Sequence, residues 1–202
     1  MLVYLLQGLT FGLSAGASPG PFHALLISQT LKNGWRRALP AVFAPLLSDG
    51  PIIALVLLVL TQMPDVVRRG LQIAGGFFLL WLAWLAYQDF RAAHQPQGAD
   101  LDSAAQSLRK ATLVNLLNPN PYIFWGVVGG PILLEAWEEA AGYGVIFIAG
   151  FYVTLIGTFT SLVALLATTQ HLSTRLSRAL SGISALALCA FGLYQLAQGI
   201  WG

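Results

Sequence analysis

The sequence predicts an all-α, polytopic membrane protein: six transmembrane helices arranged as a 3+3 inverted repeat, with helices 1 and 4 broken. Three observations predict it. The chain is 56% hydrophobic and 9% charged, with a mean hydropathy of +0.71, so it has too little polar surface to coat a water-soluble globule of its size. Apolar windows almost free of charge recur along its whole length. Similar Pro-rich tetrapeptides interrupt the first and fourth of them.

The windows run over residues 2–31, 38–60, 71–87, 111–134, 142–168 and 179–200. Most meet the roughly 20 helical residues needed to cross a hydrocarbon core; the third is short. Lipid offers no hydrogen bonds to open backbone, and the windows show no period-2 alternation, so they are expected to be helices rather than barrel strands. Met1 leads straight into Leu2 with no basic region before it, and no removable signal peptide is expected.

Orientation follows from the basic residues. Connections 1–2 (Lys32, Arg36, Arg37), 3–4 (Arg91, Arg109, Lys110) and 5–6 (Arg175, Arg178) hold eight of them. The opposite set holds two, Arg68 and Arg69, which places both termini outside. Lys32, Arg36 and Arg37 are read as topological anchors, and Trp35, Trp137 and Trp201 as interfacial belt residues. The polar stretch 88–110, with His94, Pro96, Gly98, Asp100 and Asp102, reads as a cytoplasmic linker between a first half, 1–87, and a second, 111–202, of one transporter-sized domain. Three spans on either side of it must enter the membrane in opposite directions.

The breaks are Ser18-Pro19-Gly20-Pro21 in span 1 and Asn118-Pro119-Asn120-Pro121 in span 4. Two prolines one residue apart remove two backbone donors and clash with carbonyls one turn earlier. Ser and Asn are good N-caps and Pro is tolerated in the turn that follows, so Ser18 and Asn118 are expected to open new half-helices. An unbroken span 1 would measure about 45 Å against a core of about 30 Å, which a break near Ser18 relieves. Opposed N-termini with free N–H groups at Gly20, Phe22, Asn120 and Tyr122 would favour an anionic group between them. This makes Ser18, Pro19, Gly20, Pro21 and Phe22, with Asn118, Pro119, Asn120, Pro121 and Tyr122, the candidate substrate-binding residues.

Asp49 is the formally charged side chain inside a span. An aspartate at a helix centre costs about 2.5 to 3.5 kcal/mol on insertion scales, so a cavity, a partner or a proton must offset it. It is the candidate to carry a coupling proton or hold a substrate ammonium group; a helix cap before Pro51 is the plainer reading, compatible with the first. His23 either joins Asp49 in a proton relay or is a hydrogen-bonded packing residue. In span 5, Thr154, Gly157, Thr158 and Ser161 either line the path or bond back to their own helix. Tyr122, Phe124 and Trp125 either wall a pocket or face lipid. Gly8, Gly12, Gly16 and Gly20, and again Gly126 and Gly130, recur every fourth residue, which predicts close helix packing, with the broken helices crossing at the core.

Several functions are excluded. The basic residues form no stripe interleaved with aromatics, so nucleic acid is not an expected partner. Cys189 is the single cysteine, which rules out a thiol pair; no second intraspan aspartate and no His-Glu zinc motif are present, so an intramembrane enzyme is not expected, nor any cofactor or metal. What remains is a transporter of a small solute by alternating access, or a passive channel or uniporter.

At Ser18-Pro19-Gly20-Pro21, Gly34, Asp49 and Asn115-Leu116-Leu117-Asn118-Pro119 the chain resembles the lysine exporter (LysE/RhtB) family of translocators, over nearly its whole length. The resemblance implies export of amino acids or related small metabolites, by proton antiport, across a bacterial cytoplasmic (inner) membrane, and more loosely a homodimer. Phe22 stands where members place Asn, and Asn120 where they place Lys. Ala38, Ala44 and Ser48 replace span-2 glycines, and Phe78 a span-3 Tyr. A less polar site than the family pattern points away from lysine and toward a neutral or apolar solute.

Overall fold

The computed structural model describes residues 1–58, 65–92, 101–169 and 174–201, and all regular structure among them is helical. The helices are α1 (Leu2–Ala17), α2 (Pro21–Asn33), α3 (Trp35–Ala38), α4 (Ala44–Leu58), α5 (Asp65–Ala92), α6 (Ala104–Leu116), α7 (Pro119–Phe124), α8 (Gly130–Glu139), α9 (Ala141–Thr169) and α10 (Thr174–Trp201). A 3-10 segment, Leu39–Phe43, leads into α4, and a π turn, Trp125–Gly129, joins α7 to α8. Four segments are long and apolar enough to cross a membrane: Trp35–Leu57, Asp65–Gln88, Ala141–Thr168 and Gly182–Trp201. The third apolar window therefore belongs to a helix longer than hydropathy alone suggested, because its charged first turns continue the same helix. His94, Pro96, Gly98 and Asp100 lie outside the described residues.

Both breaks are present, and proline explains their geometry. Ser18 (φ −74°, ψ 116°) and Asn118 (φ −89°, ψ 124°) are extended, as the residue before a proline must be when its α conformation is sterically closed. Their capping roles differ from the sequence expectation. Asn118 does open α7, its Oδ1 accepting from the Asn120 N–H at 3.1 Å. Ser18 instead closes α1: its N–H and its Oγ both donate to the Ser14 carbonyl, at 3.1 and 2.7 Å, and Gly20 is the N-cap of α2. A serine hydroxyl can bond back to the carbonyl four residues earlier alongside its own N–H, and that local acceptor is nearer than the amides of the next helix. Gly34 ends α2 at φ 80°, a conformation that a residue with a Cβ rarely adopts.

The glycine stripe of α1 serves packing, but on a different neighbour from the one expected. A Cβ at Gly8 or Gly12 would collide with the carbonyls of Phe147 and Phe151, and one at Gly16 would lie 2.9 Å from Thr158 Cβ. The stripe thus lets α1 lie against the backbone of α9, while Gly126 and Gly130 face Val56 and Leu57 of α4. The crossing of broken helices at the core falls instead to α2 and α6, which pack together. The largest interfaces are α5 with α10 and α1 with α9; α6 runs along residues 39–58, and α10 also covers α2. Trp125, Phe147, Leu25, Leu26 and Leu188 form the most deeply buried part of the core.

At one end of the bundle the start of α6 is tied to α2. Asn33 accepts the Asp102 N–H at 2.9 Å and donates Nδ2 to Gln29 Oε1 at 2.7 Å, and Ser107 donates to the same Gln29 oxygen at 3.0 Å. Lys110 Nζ lies 2.7 Å from Asp102 Oδ2 in a nearly buried ion pair. Burial alone would raise the Asp102 carboxyl, but the hydrogen bond and charge of Lys110, the Asn33 amide and the charge of Lys32 outweigh it and hold it below its ordinary 3.8. Ser103 and Gln106 form a reciprocal capping box that starts α6 beside this latch.

Candidate functional site

Asp49 sits inside α4, 3% exposed, with helix continuing on both sides of it. The reading of Asp49 as a cap is thereby set aside. Proline at 51 does not restart the helix; it is carried within it. Buried carboxylates need donors, and three other elements supply them. From α6, the two Asn115 Nδ2 hydrogens reach Asp49 Oδ1 at 2.7 Å and Ser48 Oγ at 2.6 Å. From α9, the Tyr152 hydroxyl donates to Oδ2 at 3.1 Å. The Trp125 Nε1–H, in the π turn, approaches Oδ2 at 3.5 Å, a long and weak contact. Ser48 Oγ donates to the Ala44 carbonyl at 3.0 Å, which orients it to accept from Asn115. The carboxylate thus joins both halves of the chain.

Asp49 borders a cavity of about 300 Å³ at the meeting of the two breaks. Ser18, Pro19, Pro21, Phe22 and His23 line it from the first break. Asn118, Asn120 and Pro121 line it from the second. Of the sequence-derived candidates, Gly20, Pro119 and Tyr122 stand just outside the lining: Gly20 caps α2, Pro119 is buried at the start of α7, and the Tyr122 hydroxyl donates to the Leu116 carbonyl at 3.0 Å. His23 shares the cavity with Asp49 but is not hydrogen-bonded to it. Its Nε2–H donates to the Gly16 carbonyl at 2.7 Å, one of the carbonyls that the end of α1 leaves without a helical partner. A group at a helix break finds such an acceptor closer at hand than a carboxylate on another helix.

Side chains that the sequence reading did not single out complete the walls. Phe151, Leu155 and Phe159, four residues apart on α9, form one face of the cavity. Phe124 stacks on Phe151 at 5.2 Å between ring centroids, and Phe22 tilts against Phe159 at 4.7 Å. Phe124 and Trp125 are therefore pocket walls rather than lipid-facing groups, Trp125 being 1% exposed. The polar side chains of α9 go elsewhere: Thr154, Thr158 and Ser161 bond back to carbonyls of Gly150, Thr154 and Gly157. A wider groove between α5 and α10, about 400 Å³ along Ala83, Trp84, Leu186 and Cys189, offers almost no polar group to orient a solute. Among the described residues no cluster of His, Cys, Asp and Glu could hold a metal.

The second break is also not the anion trap that its sequence suggests. Pro119 and Pro121 carry no N–H, the Asn120 amide is taken by the Asn118 side chain, and the Asn118 amide by the Asn115 carbonyl at 3.2 Å. The only unspent amides at the breaks are at the start of α2, where Ala24 is the first residue whose N–H returns to the cap, Gly20.

The chain is 29% identical over 161 residues to ChpE of Pseudomonas aeruginosa, named as a chemotactic transduction protein, covering 76% of this chain and 77% of that one. It is 27% identical over 203 residues to YcgF of Bacillus subtilis, named for amino acid efflux, covering 96% of each. No solved structure matches it significantly. The family model for the LysE type translocator matches residues 13–199, which include both breaks, Asp49 and every cavity wall, and the chain therefore belongs to the LysE type translocator family of integral membrane proteins.

Proposed function

We propose that the protein is a secondary transporter that exports amino acids or related small metabolites across the bacterial cytoplasmic membrane by proton antiport. The site is the central cavity, with Ser18, Phe22, Asn118 and Asn120 at the solute and Asp49 carrying the coupling proton. The two relatives bear different names, one for signalling and one for efflux, so kinship alone does not choose between them. The observation that carries the reading is a carboxylate 3% exposed, reached by donors from several helices, on the wall of a small cavity between two helix breaks. A signalling scaffold has no need of that arrangement.

A six-span, 3+3 inverted arrangement with both termini outside is part of the proposal. Its support is the pairing of elements: α1 lies along α9 as α6 lies along 39–58, and α5 packs on α10, its counterpart in the second half. Such pairing exchanges the two halves, as a pseudo-two-fold axis in the membrane plane would. Alternating access then means rocking one set of helices against the other about the cavity.

Reconstitution tests this directly. Proteoliposomes loaded with a mixture of amino acids and given a pH gradient are expected to show gradient-driven flux, lost in Asp49→Asn. Flux unchanged in Asp49→Asn would remove Asp49 from coupling, and flux indifferent to the gradient would make the protein a uniporter or channel.

A further inference from the structure

Building on the cavity as the transport site, we infer that it recognises its solute by an ammonium group and an uncharged apolar body, and that the solute's carboxylate is dispensable for binding. The chemistry of the lining is one-sided. Asp49 is the acidic side chain on it, and neither Lys nor Arg lines it. Asp49 keeps acceptor capacity: its close donors are one Asn115 hydrogen on Oδ1 and the Tyr152 hydroxyl on Oδ2, against about four lone-pair directions for the two oxygens.

The walls complement a cation in a second way. Phe124, Trp125 and Phe151 make mutual ring contacts at 5.2 to 5.3 Å on one side of Leu155, and on the other Phe159 meets the rings of Phe22 and His23 at 4.7 and 5.3 Å. Aromatic faces carry negative potential and attract an ammonium while also burying aliphatic carbon. An anion finds less. The α7 amides are blocked by two prolines and by Asn118, and the His23 Nε2–H is committed to the Gly16 carbonyl. The start of α2 alone has backbone donors left for a carboxylate, with neither Lys nor Arg beside them. A second positive charge on the solute fares no better, since no second carboxylate lines the space.

Four ligands of equal chain length separate these contributions: norleucine, norleucine amide, hexanoate and lysine. Calorimetric titration of the full-length wild-type protein in lipid nanodiscs is expected to give norleucine and its amide dissociation constants within about threefold of each other. Hexanoate should show no saturable binding, and lysine should bind at least roughly tenfold more weakly than norleucine, having one ammonium to desolvate without a partner. Phe151→Leu, which keeps an apolar wall but removes a ring, is expected to weaken the amide about tenfold, and an unchanged affinity would overturn the part of the inference that gives the rings a role in holding the ammonium. Binding of hexanoate comparable to norleucine, with the amide inert, would overturn the inference in favour of carboxylate recognition and leave the transport reading standing. The same holds if none of the four binds while Asp49-dependent flux of another solute persists. Absence of both binding and flux would instead bring down the transport reading itself.

Discussion

At a buried carboxylate the decisive quantity is how many donors reach it and what each would leave behind. Asn115 gives one hydrogen to Asp49 Oδ1 and the other to Ser48 Oγ, so its loss strips two buried acceptors at once. Asn115→Leu is expected to lower stability by about 2–3 kcal/mol, read as a lower unfolding temperature in detergent. Replacing both partners, Asp49→Leu with Asn115→Leu, should recover much of that loss, because no charge is then stranded; strict additivity of the two single effects would contradict the geometry. Asp49 was legible in the sequence because a charge in an apolar window is costly wherever it points. Its partners were not. Tyr152 on α9 and Trp125 in the π turn each sit among other aromatics, where a hydroxyl or indole aimed inward reads the same as one aimed at the interface. Asn115 stands in the motif Asn115-Leu116-Leu117-Asn118-Pro119 that carries the resemblance, but nothing in that motif named Asp49 as what its amide reaches.

At the scale of elements, the prolines announced both breaks, since the steric rule they impose acts on the neighbouring residue whatever the tertiary setting. Which residue caps which half-helix depended on competition between nearby carbonyls and amides, and Ser18 went to Ser14 rather than to α2. The glycine repeat likewise gave away close packing but not the partner, because a stripe of missing side chains carries no label for what fills it. A contrast tests the α1–α9 contact. Gly12→Ala places a methyl against the Phe151 carbonyl and is expected to cost about 1–3 kcal/mol, whereas Gly157→Ala on α9 meets open space and should be nearly neutral. Equal effects on unfolding temperature would refute the close approach. The latch at the start of α6 adds a pH prediction. Its Asp102 carboxyl lies below the ordinary value in the folded protein, so its contribution is present above about pH 4 and is lost only as pH falls through that lower value. The stability gap between wild type and Asp102→Asn should therefore be flat from pH 8 to 5 and shrink below about 4.

For the molecule as a whole, composition and periodicity sufficed to say that it is helical and membrane-embedded, because lipid leaves a chain few alternatives. The breaks and the acid of span 2, all legible in the sequence, line one cavity, which is the site proposed above. The aromatic face of α9 that gives the cavity its chemical character was hidden, since rings spaced four apart on an apolar helix are equally at home against lipid. If the proposed transport holds, one cavity between the breaks serves both sides of the membrane in turn. Cysteine labelling tests it most directly, with Asn120→Cys in a Cys189→Ser background and a membrane-impermeant thiol reagent added to right-side-out or to inside-out vesicles. Labelling from either side is expected, slowed in both by transported solute; labelling confined to one side regardless of solute would rule out alternating access through this cavity.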